Sequence, residues 1–230
     1  MKLHGLQKMT LLDYPGKVAC TVFTGGCNFR CPFCHNALLV TEIDNSSVYD
    51  EDEIIDFLSK RAGLLDGVCV TGGEPLIHPS VAKFIGRIKS LGFAVKLDTN
   101  GSFPDTLADI ISEGLVDKVA MDIKNSYEKY GATVGIENFD ITPIDKSISL
   151  LLEGRVDYEF RTTVVRELHE VSDIEKIAKR ISGAREYHLQ NFVDSGNLIT
   201  PGMSAHSKET LEEMRDAAGL YVPTTNIRGI

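Results

Sequence analysis

Three cysteines, Cys27, Cys31 and Cys34, fall within eight residues in the stretch GGCNFRCPFCHN. Three chemistries suit such a group: disulfide staples, a zinc site, or a redox-active iron–sulfur centre. A structural zinc ion wants four tetrahedral ligands, usually in two separated pairs. Cys20, Cys69 or His35 could complete that set, but Cys20 and Cys69 sit inside apolar strand patterns and read as small buried hydrophobes. Three thiolates on one loop can instead occupy three irons of a cubane, leaving one iron open.

Three further motifs carry polar groups. VTGGEP, Val70 to Pro75, brings two glycines that permit close backbone approach, and the carboxylate of Glu74. LDTNG ends at Gly101 and MDIK at Lys124. Asp98 and Asp122 are then two carboxylates able to share a cation, and Lys124 could pair with a substrate carboxylate. Taken singly, each of these reads as a tight turn or a strand-end salt bridge. Four successive strand ends carrying such groups on one rim point to a site.

The elements that must hold them are six apolar, β-branched segments: Lys17 to Thr24, Gly67 to Thr71, Phe93 to Thr99, Asp117 to Ile123, Tyr158 to Val165 and Glu186 to Phe192. Their near-continuous apolar character predicts strands buried on both faces. Helical patterns lie between them. One ends at Gly92; another has Pro143 just inside its start and Gly154 just past its end; a third carries a capping box from Ser172 to Glu175 and stops at Gly183. The NG of LDTNG leads into a helix rather than a hairpin, because SFPDTLADIISEG follows. Alternating strands and helices mean parallel βαβ units, in a doubly wound sheet or a barrel short of eight units. In either layout ligands bind at the carboxyl ends of the strands.

The 230 residues, 43% hydrophobic, suffice for one core, so one domain over 1–230 is expected: an N-terminal extension over 1–16, six β/α units over 17–192 and a C-terminal segment over 193–230. The acidic run from Asp44 reads as a solvated loop entering a helix. A formal net charge of −9 argues against a broad nucleic-acid footprint. The N-terminus lacks a secretory apolar run and no stretch is long enough to span a membrane, so a cytoplasmic location is expected. There, five cysteines with three clustered argue for metal binding over disulfides.

These motifs, in this order, resemble the radical S-adenosylmethionine (radical SAM) enzymes. DYPGK followed by VFTGGCNFRCPFCHN is similar to the activating enzymes of glycyl radical enzymes, above all the anaerobic ribonucleoside-triphosphate reductase activating group, with pyruvate formate-lyase activating enzyme a further relative. The resemblance implies a partial (β/α)6 TIM-like barrel. It implies a [4Fe-4S] cluster on Cys27, Cys31 and Cys34, with S-adenosylmethionine on the open iron, cleaved reductively to a 5'-deoxyadenosyl radical that installs a glycyl radical on a partner. It further implies that Phe33 and His35 flank the adenine and that Asn36 hydrogen-bonds the cofactor. Gly72, Gly73 and Glu74 would hold the methionine amino group, and Lys124 its carboxylate. Asp98, Thr99 and Asp122, with Asn100 beside them, would form a monovalent cation site. Asp13 would lie near the incoming glycine loop. His188 stands earlier than the histidine of pyruvate formate-lyase activating enzyme, with Phe192 near the equivalent place. The implied partners are a glycyl radical enzyme, anaerobic ribonucleotide reductase first, and a flavodoxin- or ferredoxin-type electron donor. With only Cys20 and Cys69 outside the loop, no auxiliary cluster is expected. A radical SAM enzyme acting on a small molecule or peptide is the alternative.

Overall fold

The computed structural model describes residues 1, 3–41, 48–194 and 196–229. In chain order the elements are β1 (Leu3–Thr10), β2 (Ala19–Thr24), α1 (Ala37–Thr41), α2 (Glu51–Ser59), β3 (Gly67–Gly72), α3 (Val81–Ser90), β4 (Ala94–Thr99) and α4 (Pro104–Ser112). There follow β5 (Lys118–Asp122), α5 (Tyr130–Val134), α6 (Thr142–Leu152), β6 (Asp157–Val164), α7 (Val171–Arg180), β7 (Tyr187–Asn191), α8 (Lys208–Gly219) and β8 (Thr225–Arg228). The strands form one sheet in sequential order from β1 to β8. From β2 onward every pairing is parallel, as helical crossovers require, and β1 runs antiparallel to β2. Among the described residues β1 and β8 do not pair, so the chain is an α/β partial barrel.

All six expected strands are present. Two more, β1 and β8, fall in the expected N-terminal extension and C-terminal segment. LHGLQKMT is too polar to read as a buried strand, and only its ends, Leu3 and Thr10, are buried. TNIR, at four residues, is shorter than any useful period.

Helix ends follow local rules with one correction. Gly92 and Gly154 stand in the left-handed region just past α3 and α6, where a side chain would be strained. The box expected from Ser172 to Glu175 sits two residues earlier: Glu170 caps α7, and Asp173 accepts the Glu170 N–H at 2.9 Å. Asp173 wins because it also holds Ser126 Oγ at 3.0 Å and Lys129 Nζ at 2.6 Å. The first residues of the acidic run from Asp44 lie outside the described residues; its later part enters α2, where Glu53 accepts the Asp50 N–H at 2.8 Å.

The core lies between the sheet's outer face and the helices. On α3, Val81, Phe84, Ile85 and Ile88 are buried against it, each worth roughly 1.5–3 kcal/mol relative to exposure. The inner face departs from the expectation of apolar strands on both sides. Alternation along β6 sends Tyr158, Phe160 and Val164 outward and Glu159, Arg161 and Thr163 inward. Charges line the barrel because they are paired: Glu159 takes Arg228 through two bonds of 2.9 and 3.1 Å and lies 3.4 Å from Lys118 Nζ. Burial alone would raise the Glu159 carboxyl, but Arg228, together with Arg161 and Lys96, outweighs it and holds it at about 2.

Candidate active site

The cysteine loop leaves the carboxyl end of β2 and is pinned from three sides. Gly26 donates to the Leu39 carbonyl (2.8 Å), Arg30 N–H to the Val134 carbonyl (2.8 Å), and Glu74 N–H to the Gly26 carbonyl (2.8 Å). The Arg30 guanidinium folds over its own loop, donating to the carbonyls of Cys27 (2.6 Å) and Phe29 (2.8 Å). Phe29 packs edge-on against Phe139, with ring centres 5.5 Å apart. The loop is thereby fixed before any ligand arrives.

All three thiols are free and line one cavity of about 420 Å³. Burial pushes their acidities down: Cys31 is raised to about 12, and Cys27 and Cys34 are raised in the same direction. Buried thiols become thiolates only when a cation stabilises them, and a metal centre is the cation that three thiols on one loop suit. The donor set therefore fits an iron–sulfur cluster one protein ligand short. Cys20 and Cys69 do not line the cavity; Cys69 instead lies 4.0 Å from Lys96 Nζ.

The VTGGEP glycines do their work against protein backbone. A Cβ on Gly73 would stand 1.9 Å from the Gly26 carbonyl oxygen, and one on Gly72 would stand 2.3 Å from that of Thr24. The turn thus seats directly under the cysteine loop, with both glycines also on the cavity wall. Glu74, expected at the methionine amino group, is engaged within the protein. It is fully buried, absent from the cavity wall, and its oxygens accept from Leu76 N–H (3.0 Å), Thr99 hydroxyl (2.8 Å) and Asn100 N–H (2.7 Å). It clamps the end of β3 to the end of β4. Burial pushes its carboxyl up to about 7, against the pull of those donors.

The acidic pair is already engaged by side chains of the protein. Asp98 and Asp122 are bridged by Arg161, whose Nε lies 2.9 Å from Asp122 and Nη1 3.2 Å from Asp98. Their remaining oxygens meet Lys96 and, at 3.0 Å, Lys124. Each of the four carboxylate oxygens thus has a side-chain cation as partner, while both carboxylates also line the cavity. Burial would raise Asp122, but Arg161 and Lys124 hold it at about 2; burial would lower Lys124, but Asp122 keeps it above the usual lysine value. Arg161 went unnoticed in the sequence, though an arginine inside the apolar YEFRTTVV strand was its signal.

The remaining expected residues gather at the same cavity. Asn36 Nδ2 donates to the Gly72 carbonyl at 2.9 Å. His35 sits edge-on to Phe192, ring centres 5.6 Å apart, and burial lowers its pKa, keeping the imidazole neutral. Phe33, Thr99, Asn100 and Asp13 line the wall, Asp13 accepting from the Thr21 hydroxyl. His188 does not join them: it lies within 3.7 Å of Glu159 and 3.3 Å of Glu186, and Gln190 and Asn191 are the cavity residues of β7.

A parallel partial barrel with a three-thiol loop and charged strand ends around one carboxyl-end cavity defines a metallocofactor enzyme. The chain belongs to the radical SAM superfamily, which residues 21–218 match; membership implies a [4Fe-4S] cluster and S-adenosylmethionine. It is 32% identical, over 99% of its length and 96% of the relative's, to a Methanocaldococcus jannaschii protein named "Putative glycyl-radical enzyme activating enzyme". It is 34% identical to the pyruvate formate-lyase-activating enzyme of Staphylococcus aureus over 46% of this chain and 44% of that one. Among solved structures, a domain of pyruvate-formate lyase-activating enzyme from Bacteroides vulgatus shares the fold with a TM-score of 0.58 at 20% identity, covering 71% of this chain and 99% of that one. Streptococcus suis SuiB bound to its precursor peptide shares it with a TM-score of 0.71 at 10% identity, covering 90% of this chain and 47% of SuiB. Among the described residues no helix is long and apolar enough to cross a membrane.

Proposed function

We propose that this protein is an activating enzyme that installs a glycyl radical on a partner, with anaerobic ribonucleoside-triphosphate reductase as that partner. The observation that carries the reading is the convergence of Cys27, Cys31 and Cys34 with the ends of β3, β4 and β5 on one cavity. The whole-length likeness to a relative named as such an activating enzyme supports it.

In this reading the three cysteines hold the cluster, and S-adenosylmethionine completes it. Bound and reduced by a flavodoxin- or ferredoxin-type donor, the pair supplies a 5'-deoxyadenosyl radical that takes a hydrogen atom from the acceptor glycine. The chain's own part is to bind, orient and keep out water. Lys124 and Arg161 present positive charge to the cofactor's carboxylate. Neutral His35, with Phe33, offers a surface for the adenine, Asn36 a hydrogen bond to the cofactor, and the Gly72–Gly73 backbone a place for the methionine amino group. Asp13 faces the cavity from the β1–β2 loop, on the side where the partner's glycine segment would enter.

Anaerobic reconstitution tests this. The reduced protein is expected to release 5'-deoxyadenosine from S-adenosylmethionine and to produce a glycyl doublet in the electron paramagnetic resonance spectrum of anaerobic ribonucleotide reductase. Cys31→Ala should lose both. Cleavage retained in Cys31→Ala would refute the ligand set. Cleavage without a glycyl signal on any glycyl radical enzyme, but with turnover of a small molecule or peptide, would overturn the activating role.

A further inference from the structure

Asn100 follows the end of β4 and lines the cavity. Its side chain is buried, 6% of the residue being exposed, and belongs to a closed ring with Asn28 and Ser102. Asn28 Nδ2 donates to Ser102 Oγ (2.9 Å), Ser102 Oγ donates to Asn100 Oδ1 (2.5 Å), and Asn100 Nδ2 donates to Asn28 Oδ1 (3.0 Å).

The direction of this ring is fixed. Ser102 N–H also meets Asn100 Oδ1, at 2.9 Å, and a backbone N–H can only donate. The atom it meets must be the amide oxygen, so the Asn100 NH2 faces the other way. That NH2 has two protons, and Asn28 takes one. The other points at Cys27 Sγ, 3.8 Å away. Among the described residues, no other side chain hydrogen-bonds a sulfur of the three-cysteine loop. Cys27 receives in addition the Phe29 N–H at 3.3 Å, a backbone donor.

We propose that Asn100 is a tuning residue: held by Asn28 and Ser102, it donates its second amide proton to the Cys27 thiolate and raises the reduction potential of the cluster. The inference rests on the cluster reading above. Reduction adds one electron from the external donor and makes or breaks no bond at this site. The added charge is shared with the ligating sulfurs, so a hydrogen bond to sulfur is stronger in the reduced state and favours it. Asn28 and Ser102 are positioning residues, since they act only by aiming the amide.

The test is an electron paramagnetic resonance redox titration of the reconstituted protein without S-adenosylmethionine, with iron counted in parallel. Asn100→Ala, which removes the donor and adds no charge, should make reduction about tenfold less favourable, about 59 mV lower for a one-electron couple. Asn28→Ala, which leaves Asn100 and its backbone bond to Glu74 in place, should shift it in the same direction by about threefold. In the unsubstituted protein labelled with ¹⁵N-asparagine, a weak ¹⁵N coupling to the reduced cluster is expected. If that coupling is absent, or if both variants carry a full cluster within twofold of the original equilibrium, the inference is overturned. If the unsubstituted protein assembles no cluster, the cluster reading fails instead.

Discussion

Glu74→Gln separates a clamp from a ligand contact. Glutamine keeps the shape and one oxygen, which can go on accepting from Leu76 N–H and the Thr99 hydroxyl. Its NH2 replaces the oxygen that accepts Asn100 N–H at 2.7 Å, so donor faces donor in a fully buried place. An orphaned buried N–H costs about 1–3 kcal/mol. At about 2–4 °C per kcal/mol for a chain of this length, that is a fall in Tm of about 2–12 °C at pH 5. The cost has a pH signature. Burial raises the Glu74 carboxyl from its ordinary 4.5 to about 7, so the stability it contributes is full below about pH 4.5 and is lost as pH rises through about 7. At about 1.4 kcal/mol per pH unit, that loss in the unsubstituted protein approaches about 3 kcal/mol. The two proteins should therefore differ most at pH 5 and converge or cross by pH 8. Thermal unfolding under anaerobic conditions at both pH values measures this. Identical melting at pH 5, together with lost S-adenosylmethionine binding, would show that Glu74 is a ligand contact and that the clamp reading is wrong.

Arg161→Met should leave Asp98 and Asp122 each a partner short and cost about 3–5 kcal/mol in urea unfolding; a change under about 1 kcal/mol would contradict the bridge. The same variant should unfold at higher pH on acidification, because Asp122, held at about 2 against burial by Arg161 and Lys124, contributes stability that is present above its ordinary 3.8 and lost as pH falls through about 2. Gly73→Ala puts a Cβ 1.9 Å from the Gly26 carbonyl oxygen, so bound iron per chain should fall sharply; full iron loading would mean that the loop yields. Asp173→Ala should lower stability by about 0.5–2 kcal/mol through loss of the α7 cap, while Ser172→Ala should change it little; the reverse order would restore the sequence-based box.

What the sequence showed and hid has physical reasons. The six apolar strands were legible because their outward side chains, Val68, Val70, Val95 and Leu97 among them, are buried under helices. The polar inner face was not, because an occasional charged residue, such as Lys96 and Asp98 in β4 or Glu159 and Arg161 in β6, dilutes an apolar run without breaking it. Single strand-end groups were legible as motifs: the three cysteines, Gly72, Gly73, Asn36 and Lys124 all reach the cavity. What was not legible was which contacts each group makes inside the protein. Glu74 lies next to two cavity glycines in sequence, yet the strand end turns its side chain inward to Thr99 and Asn100, residues some 25 positions away. Arg161 acts 39 positions from Asp122 and 63 from Asp98, and only the β5–β6 register, which sets Asp122 beside Arg161, brings them together.

That register has an electrostatic consequence for the site. Around Asp98 and Asp122 stand Lys96, Lys124 and Arg161, so each carboxylate is met by two cations, and of the three cations Lys124 and Arg161 also line the cavity. The carboxylates hold the cations in place before a ligand arrives, so little reorganisation is needed when one does. An anionic ligand group entering the cavity would meet Lys124 and Arg161 already in place. Removing Lys124 as Lys124→Met should therefore weaken S-adenosylmethionine binding more than it lowers stability, because Asp98 keeps both its partners and Asp122 keeps Arg161 Nε at 2.9 Å; calorimetric binding and thermal unfolding, measured on the same preparation, should separate in that order.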